Sequence, residues 1–326
     1  MKNTVLFLLL PLWLASCERR ELTFYTEAEI TVTADWSRAD QQEENQYGAT
    51  LIFYPQDGGT PRVVLMGDRT QTTVRLPDGR YDAILFNRSF DEFGTMAFRG
   101  QEQLHTLEAY ALQTETRYGT KIITAAPGKL ASAVIRDFEV TDNMLGNYAP
   151  AGARSVADCP DGACRLQFTP LPLTRKVKVK LHITGINNLK QATCQLSGVP
   201  LSIYLHDGNT DNAEKGVQEF EVEDITPDKD FAANGTLSGT IHLFGLPSTE
   251  EVQIKVRALL KDNTTVIERE VENIEANEEA DGSGVTTLHI EADITEPLPD
   301  VTISEDSGFN ANVDEWGQEN DTEIPI

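Results

Sequence analysis

The residues with the clearest chemical assignment are the four cysteines. Cys17 follows Leu14-Ala15-Ser16, directly after a ten-residue apolar run, Val5 to Leu14, interrupted only by Pro11. Lys2 places positive charge ahead of that run. It is too short to cross a bilayer as a helix, which takes about 20 apolar residues, and it has the form of a secretory signal. Small residues immediately before a cysteine at this point form a bacterial lipobox. The chemistry expected is thioether attachment of a diacylglyceryl group to Cys17, cleavage before it, and acylation of the new amine. Residues 1–16 are then a signal peptide. The acyl chains hold the mature chain to a membrane at about 0.8 kcal/mol per buried methylene. A signal without lipidation and with an incidental cysteine is the alternative.

Cys159 and Cys164 flank Pro160-Asp-Gly-Ala163, where proline and glycine favour a tight turn. In an oxidising envelope this spacing reads as a local disulfide. A zinc site needs more ligands than one cysteine pair without nearby histidine supplies. Cys194, in the alternating segment Ala192 to Leu196, reads as a buried free thiol.

Catalytic patterns are missing. The chain has no Gly-x-Ser-x-Gly, no His-Glu-x-x-His and no phosphate-binding loop. No catalytic residue, metal site or cofactor is assigned. His182, His242 and His289 each sit between apolar residues on strand-like segments and are expected to face solvent. Asp207 to Asn212 (DGNTDN) offers oxygens at alternate positions. It lacks the glycine and the closing acid of a calcium loop, with Gln218 at the acid's place, and reads as an Asp-Gly turn. Trp36 and Trp316 could stack on a sugar or serve a core.

These residues must be positioned by a β framework. Period-two alternation recurs over 28–34, 49–54, 63–66, 72–76 and 80–86, and again over 130–140, 175–183, 198–205, 239–244, 251–260, 265–271 and 284–290. The set Pro77-Asp78-Gly79 between two such runs reads as a hairpin turn. Residues 100–118, with Leu104, Leu107, Ala111 and Leu112 at roughly helical spacing, read as a short helix or a surface loop. With 326 residues the chain has room for about two domains of roughly 150 residues. The expected division is 17–170 and 171–326.

Composition removes other classes. There are 27 Lys and Arg against 52 Asp and Glu, a net charge of −25. That argues against nucleic-acid binding, which needs a basic surface, and against electrostatic docking on anionic lipid. The charge is uneven: from Glu268 to Ile326 there are 18 acids and one base, Arg269. The end of this acidic tail, residues 309–326, reads as a last strand of the second domain, as a segment that docks a partner, or as a disordered tail.

Several stretches, in order, resemble the fimbrillin-like lipoproteins of the Bacteroides group. They are Glu21 to Phe24 and Glu29 to Trp36 after the lipobox, then Leu76 to Ala83 (LPDGRYDA) before a strand ending in Asn87. Thr174 to Lys180 with Ala192 to Gly198, Leu237 to Gly245, and Gly308 to Trp316 follow. The resemblance implies an all-β protein of two consecutive transthyretin-like antiparallel β-sandwich domains. It implies a non-enzymatic outer-membrane lipoprotein at the cell surface, serving as fimbrial subunit, anchor or accessory protein in assembly and adhesion. It further implies partnership with fimbrial subunits by strand complementation, with proteolytic processing after an arginine, for which Arg38 is one candidate, or an uncleaved anchor or accessory protein. A glycan-binding lipoprotein for polysaccharide uptake is the rival reading.

Overall fold

The computed structural model describes residues 24–39, 47–145, 147, 164–211, 213–245, 252–280 and 286–301. Cys17, Cys159 and the segment 309–326, Trp316 included, lie outside the described residues. The described residues form strands almost throughout. The first half holds β1 (Glu27–Ala34), β2 (Ala49–Pro55), β3 (Arg62–Met66), β4 (Gln71–Pro77), β5 (Gly79–Asn87) and β6 (Met96–Arg99). It continues with β7 (Glu108–Ala111), β8 (Gln113–Glu115), β9 (Lys121–Ile123), β10 (Ala131–Val140), β11 (Arg165–Phe168) and β12 (Leu171–Pro172). The second half holds β13 (Thr174–Thr184), β14 (Leu189–Pro200), β15 (Ser202–Tyr204), β16 (Lys215–Glu221) and β17 (Asp224–Pro227). Then come β18 (Asn234–Phe244), β19 (Gln253–Leu260), β20 (Val266–Glu270), β21 (Glu272–Ala280) and β22 (Thr286–Asp293).

Two β-sandwiches result, as expected. In the first, a sheet of order β11-β1-β4 faces one of order β12-β10-β5-β2-β3. Strict alternation on β1 sends Ala28, Ile30 and Val32 into the shared core. The central strands β2 and β5 of the five-stranded sheet are buried on both faces. Tyr81, Ala83 and Leu85 of β5 face the first core, while Ile84 and Phe86 join the second cluster with Phe93, Met96 and Leu107. That is why Ala83 to Phe86 reads as a continuous apolar run, as sheets covered on both sides do. Asn87, 1% exposed, ends the strand and is satisfied on both sides. Its Oδ1 accepts from the Ala131 amide at 2.8 Å and its Nδ2 donates to the Lys129 carbonyl at 2.8 Å.

The Pro77-Asp78-Gly79 turn is a corner, not a hairpin. β4 pairs with β1, whereas β5 pairs with β2 and β10 in the opposite sheet. Both flanking strands send side chains, Leu76 and Tyr81, into the same core from opposite layers. Burying both demands that the chain cross between the sheets. Gly79, at φ +144°, allows the change of direction. The Tyr81 hydroxyl donates back to the Pro77 carbonyl at 3.2 Å, a tyrosine corner.

Residues 100–118 also differ from expectation. They form a three-residue 3₁₀ turn, Leu104–Thr106, followed by β7 and β8. Leu104 and Leu107 are buried, but β7 pairs antiparallel with β6 and β15. Strand partners distant in sequence override weak helical spacing. The segment expected as one strand at 198–205 is likewise divided between β14 and β15, which lie in different sheets.

The second sandwich packs β17-β18-β13-β22-β21 against β20-β19-β14-β16-β9-β8. Val177, Val179, Leu181 and Ile183 are buried, and Lys178 and Lys180 point out. Each sandwich places its opening long strand between an antiparallel neighbour and a parallel late strand. β1 lies between β4 and β11, and β13 between β18 and β22. The acid-rich stretch from 268 therefore begins as sheet: β21, a strand the sequence pattern did not reveal, pairs with β22.

Strands also cross between the halves. β9 pairs with β16 and β7 with β15. At the junction the Ser132 hydroxyl donates to the Leu205 carbonyl at 2.6 Å, and the Leu130 amide donates to Thr174 Oγ1 at 3.0 Å.

Candidate functional site

The site singled out by the sequence is the chain's opening: an anchor point, a first strand, and an arginine after it. β1 occupies the centre of its sheet. Seven residue pairs join it to β4 and four join it to β11. A fully buried Ile or Val contributes about 1.5–3 kcal/mol, so Ile30 and Val32 alone hold the strand firmly. If β1 were cut free, its exit would leave an apolar groove between β4 and β11. Only another strand supplying both apolar side chains and backbone partners could refill it.

Arg38 stands in an exposed turn at residues 37–39 just past β1. The chain is pinned on both sides of it. The Asp35 amide donates to the Phe168 carbonyl at 2.9 Å, the Ala39 amide to the Trp36 carbonyl at 3.0 Å, and Ala39 is 1% exposed. Arg38 is thus exposed in a hydrogen-bonded turn directly after β1.

Cys164 lies beside the same strand. Its carbonyl accepts from the Thr31 amide at 2.9 Å, and its side chain is buried and disulfide-bonded. The bonding partner is outside the described residues. Cys194 is a buried free thiol, with burial pushing its pKa up to about 12.

The remaining candidates separate in space. His182 Nε2 is 2.7 Å from Glu291 Oε1 and His289 Nε2 is 3.1 Å from Glu279 Oε2, both on the outward face of the β13–β22 sheet. Glu291 also accepts from Lys180 Nζ at 2.8 Å. The bonds from Lys180 and then His182 hold its carboxyl below the usual range. In the loop at 207–211 two side-chain oxygens serve the backbone: Asp207 Oδ1 accepts from the Asn209 amide and Asn209 Oδ1 from the Asp211 amide, at 2.9 and 2.7 Å. This is the chemistry of consecutive Asx turns. Among the described residues no group of three or more His, Cys, Asp and Glu is placed to hold a metal.

Trp36 is committed within the fold. Its Nε1 donates to the Arg69 carbonyl at 2.8 Å, and the Arg69 guanidinium stacks over the ring at 4.4 Å. A cleft of about 590 Å³ at the junction of the sandwiches, lined by Val134, Arg136, Phe168, Leu171, His206 and Asp207, was not legible in sequence. Its walls come from three separate stretches, 132–136, 167–173 and 205–207.

A further charged pair escaped the sequence reading. Arg99 Nε of β6 donates to Glu108 Oε2 of β7 at 2.5 Å, and Glu108 is 7% exposed. Burial pushes that carboxyl up, but hydrogen bonds from Arg99 and Ser202 and the Arg99 charge outweigh it, and the pKa is lowered. A lone glutamate in a polar stretch carries no sign of this role; it is created by the β6–β7–β15 pairing.

A family model described as "Domain of unknown function (DUF5119)" matches residues 16–221, and the chain belongs to that family. Over 100 residues the chain is 29% identical to a Bacteroides ovatus protein named "Putative fimbrium anchoring subunit Fim4B". That match covers 30% of this chain and 28% of the relative, so the chain spans well under a third of the relative's length. Among solved structures, one of "a putative adhesin" from Bacteroides ovatus aligns with a TM-score of 0.53 at 17% identity, over 78% of this chain and 86% of the other. The fimbrial anchor protein Mfa2 from Porphyromonas gingivalis aligns with a TM-score of 0.42 at 13% identity, over 82% and 90%. The resemblance to fimbrial proteins read from the sequence agrees with the Bacteroides ovatus sequence relative.

Proposed function

We propose that the protein is a non-enzymatic, lipid-anchored outer-membrane protein of the cell surface that takes part in fimbrial assembly and adhesion, as subunit, anchor or accessory protein. The observation that carries the reading is the 100-residue match to a relative named as a fimbrium anchoring subunit. A fold shared with an adhesin supports it. In this reading Cys17 bears the lipid, Cys159 pairs with Cys164, and 17–170 and 171–326 are the two domains, with β8 and β9 lent to the second. Arg38 is the processing point that frees β1, and fimbrial subunits engage the protein by supplying strands. Segment 309–326 is the candidate for docking such a subunit.

Protease shaving of intact cells, with mass spectrometry of the released fragments, tests exposure and processing together. Surface peptides and an end at Arg38 are expected; a chain untouched on intact cells but digested after lysis would sink the surface assignment. Labelled palmitate should enter the wild type and not Cys17→Ala, and equal labelling of both would remove the anchor. Deleting 309–326 should abolish co-purification of fimbrial subunits without changing the melting temperature. A large fall in melting instead assigns that segment to the second sandwich.

A further inference from the structure

We propose that the pocket between the β2–β3 loop and the segment leading into β7 binds a neutral saccharide. Its volume is about 500 Å³, within the roughly 300–1,000 Å³ of small-molecule sites. Tyr54 of β2 and Asp82 of β5 are cross-strand partners at one end of the face that carries Ile52, Ile84 and Phe86 into the second core cluster. Pro55 and Pro61 line the pocket from the loop, and Glu102 and Gln103 from the segment before β7. Tyr54 is 6% exposed and belongs to the cluster, and its hydroxyl is buried with no hydrogen-bond partner among the described residues. Buried hydroxyls are ordinarily paired. Burial, and then the charge of Glu102, push its pKa up from the ordinary 10. At neutral pH it is therefore a donor without an acceptor.

Beside that donor stands a fixed acceptor. Gln56 Nε2 donates to Asp82 Oδ1 at 2.9 Å and to Asp137 Oδ1 at 2.8 Å, and the Asp137 amide donates to Asp82 Oδ1 at 3.0 Å. Asp137 reaches this position with left-handed backbone, φ +56°, inside the irregular part of the β10–β5 pairing. Asp82 is thereby held through one oxygen. Its other oxygen takes no hydrogen bond among the described residues, and neither does the carboxylate of Glu102 or the side-chain amide of Gln103.

This set of groups selects the ligand class. The Tyr54 hydroxyl needs an acceptor, the carboxylates need donors, and an amide such as Gln103 offers both. An ammonium or guanidinium group serves the carboxylates but accepts nothing from Tyr54. An anion accepts from Tyr54 but meets Asp82 and Glu102. Neighbouring hydroxyls of an uncharged sugar donate and accept at once, and the rings of Pro55 and Pro61 give apolar surface for the sugar's carbon skeleton. The site stands independently of the fimbrial assignment, because none of these residues belongs to the anchor, the first strand or the acidic tail.

Saturation-transfer NMR of the purified full-length protein with the methyl glycosides of D-glucose, D-galactose, D-mannose and N-acetyl-D-glucosamine should show binding of at least one. Its affinity should not change with ionic strength, and D-glucuronate should bind more weakly than the neutral sugars. Tyr54→Phe should weaken the bound glycoside about tenfold, equivalent to about 1.4 kcal/mol. Its melting temperature should stay level or rise, because the variant removes an unpaired buried hydroxyl. Glu102→Gln, an exposed position, should weaken binding without changing the melting. Four results would each overturn the proposal. They are no response from any of these glycosides, an affinity indifferent to Tyr54→Phe, a fall in melting temperature on Tyr54→Phe, and tighter, salt-sensitive binding of L-arginine, which would make the pocket a cation site.

Discussion

Glu108 is the residue whose chemistry depends most on its surroundings. Its pKa is lowered from the ordinary 4.5, so its contribution is fully present above that value and is lost as pH falls through the lower, folded value. Glu108→Gln should cost about 1.5–3 kcal/mol at neutral pH, the worth of hydrogen bonds to a charged group. The gap from wild type should close in acid, and urea melts of both proteins across the acid range measure it. Cys194 is the opposite case, a group silenced by burial. With its thiol pushed to about 12, it should be inert to a thiol reagent in the native protein at mildly alkaline pH and react fully in denaturant. Its place on an alternating strand was evident from neighbouring residues alone. The Glu108 pairing was not, because nothing near 108 announces Arg99 and Ser202 as neighbours.

Among the elements, β1 and the corner after β4 carry the first sandwich. Ile30 is fully buried at the middle of β1. Ile30→Ala should cost about 2–5 kcal/mol through lost burial and the cavity left behind, read from denaturant midpoints. Tyr81→Phe keeps the ring in the core and removes only the bond to Pro77. A loss of about 1 kcal/mol is expected, and a cost several times larger would mean the hydroxyl does more than brace the corner. Strand positions for β1 to β5 followed from alternation and turn residues. Their pairing did not, since Pro-Asp-Gly permits either a hairpin or a crossing. The choice is made by Leu76 and Tyr81 sharing one core from opposite layers.

At the scale of the molecule, the two sandwiches are joined by exchanged strands rather than by a linker. β9 belongs to the second sandwich's sheet though it precedes β10 of the first, and the aromatic cluster over β5 is continuous with the second core. Calorimetry should therefore show one cooperative transition for both sandwiches. Two transitions separable by destabilising the first, with Ile30→Ala, would contradict that coupling.

The sequence by itself determined the all-β class, the position of most strands and the buried thiol at Cys194, because each rests on local spacing. Alternation sets which face of a strand is apolar wherever one face meets solvent. Only the tertiary structure decided which strands are neighbours: β4 and β5 in opposite sheets, β7 beside β15, β9 beside β16, and β1 centred between β4 and β11. Those choices depend on contacts between residues far apart in the chain, and a local pattern carries no record of its distant partner. For the same reason Arg38 could be noted as an arginine after a strand. That the strand before it fills a groove no other described segment covers follows only from the packed sheet.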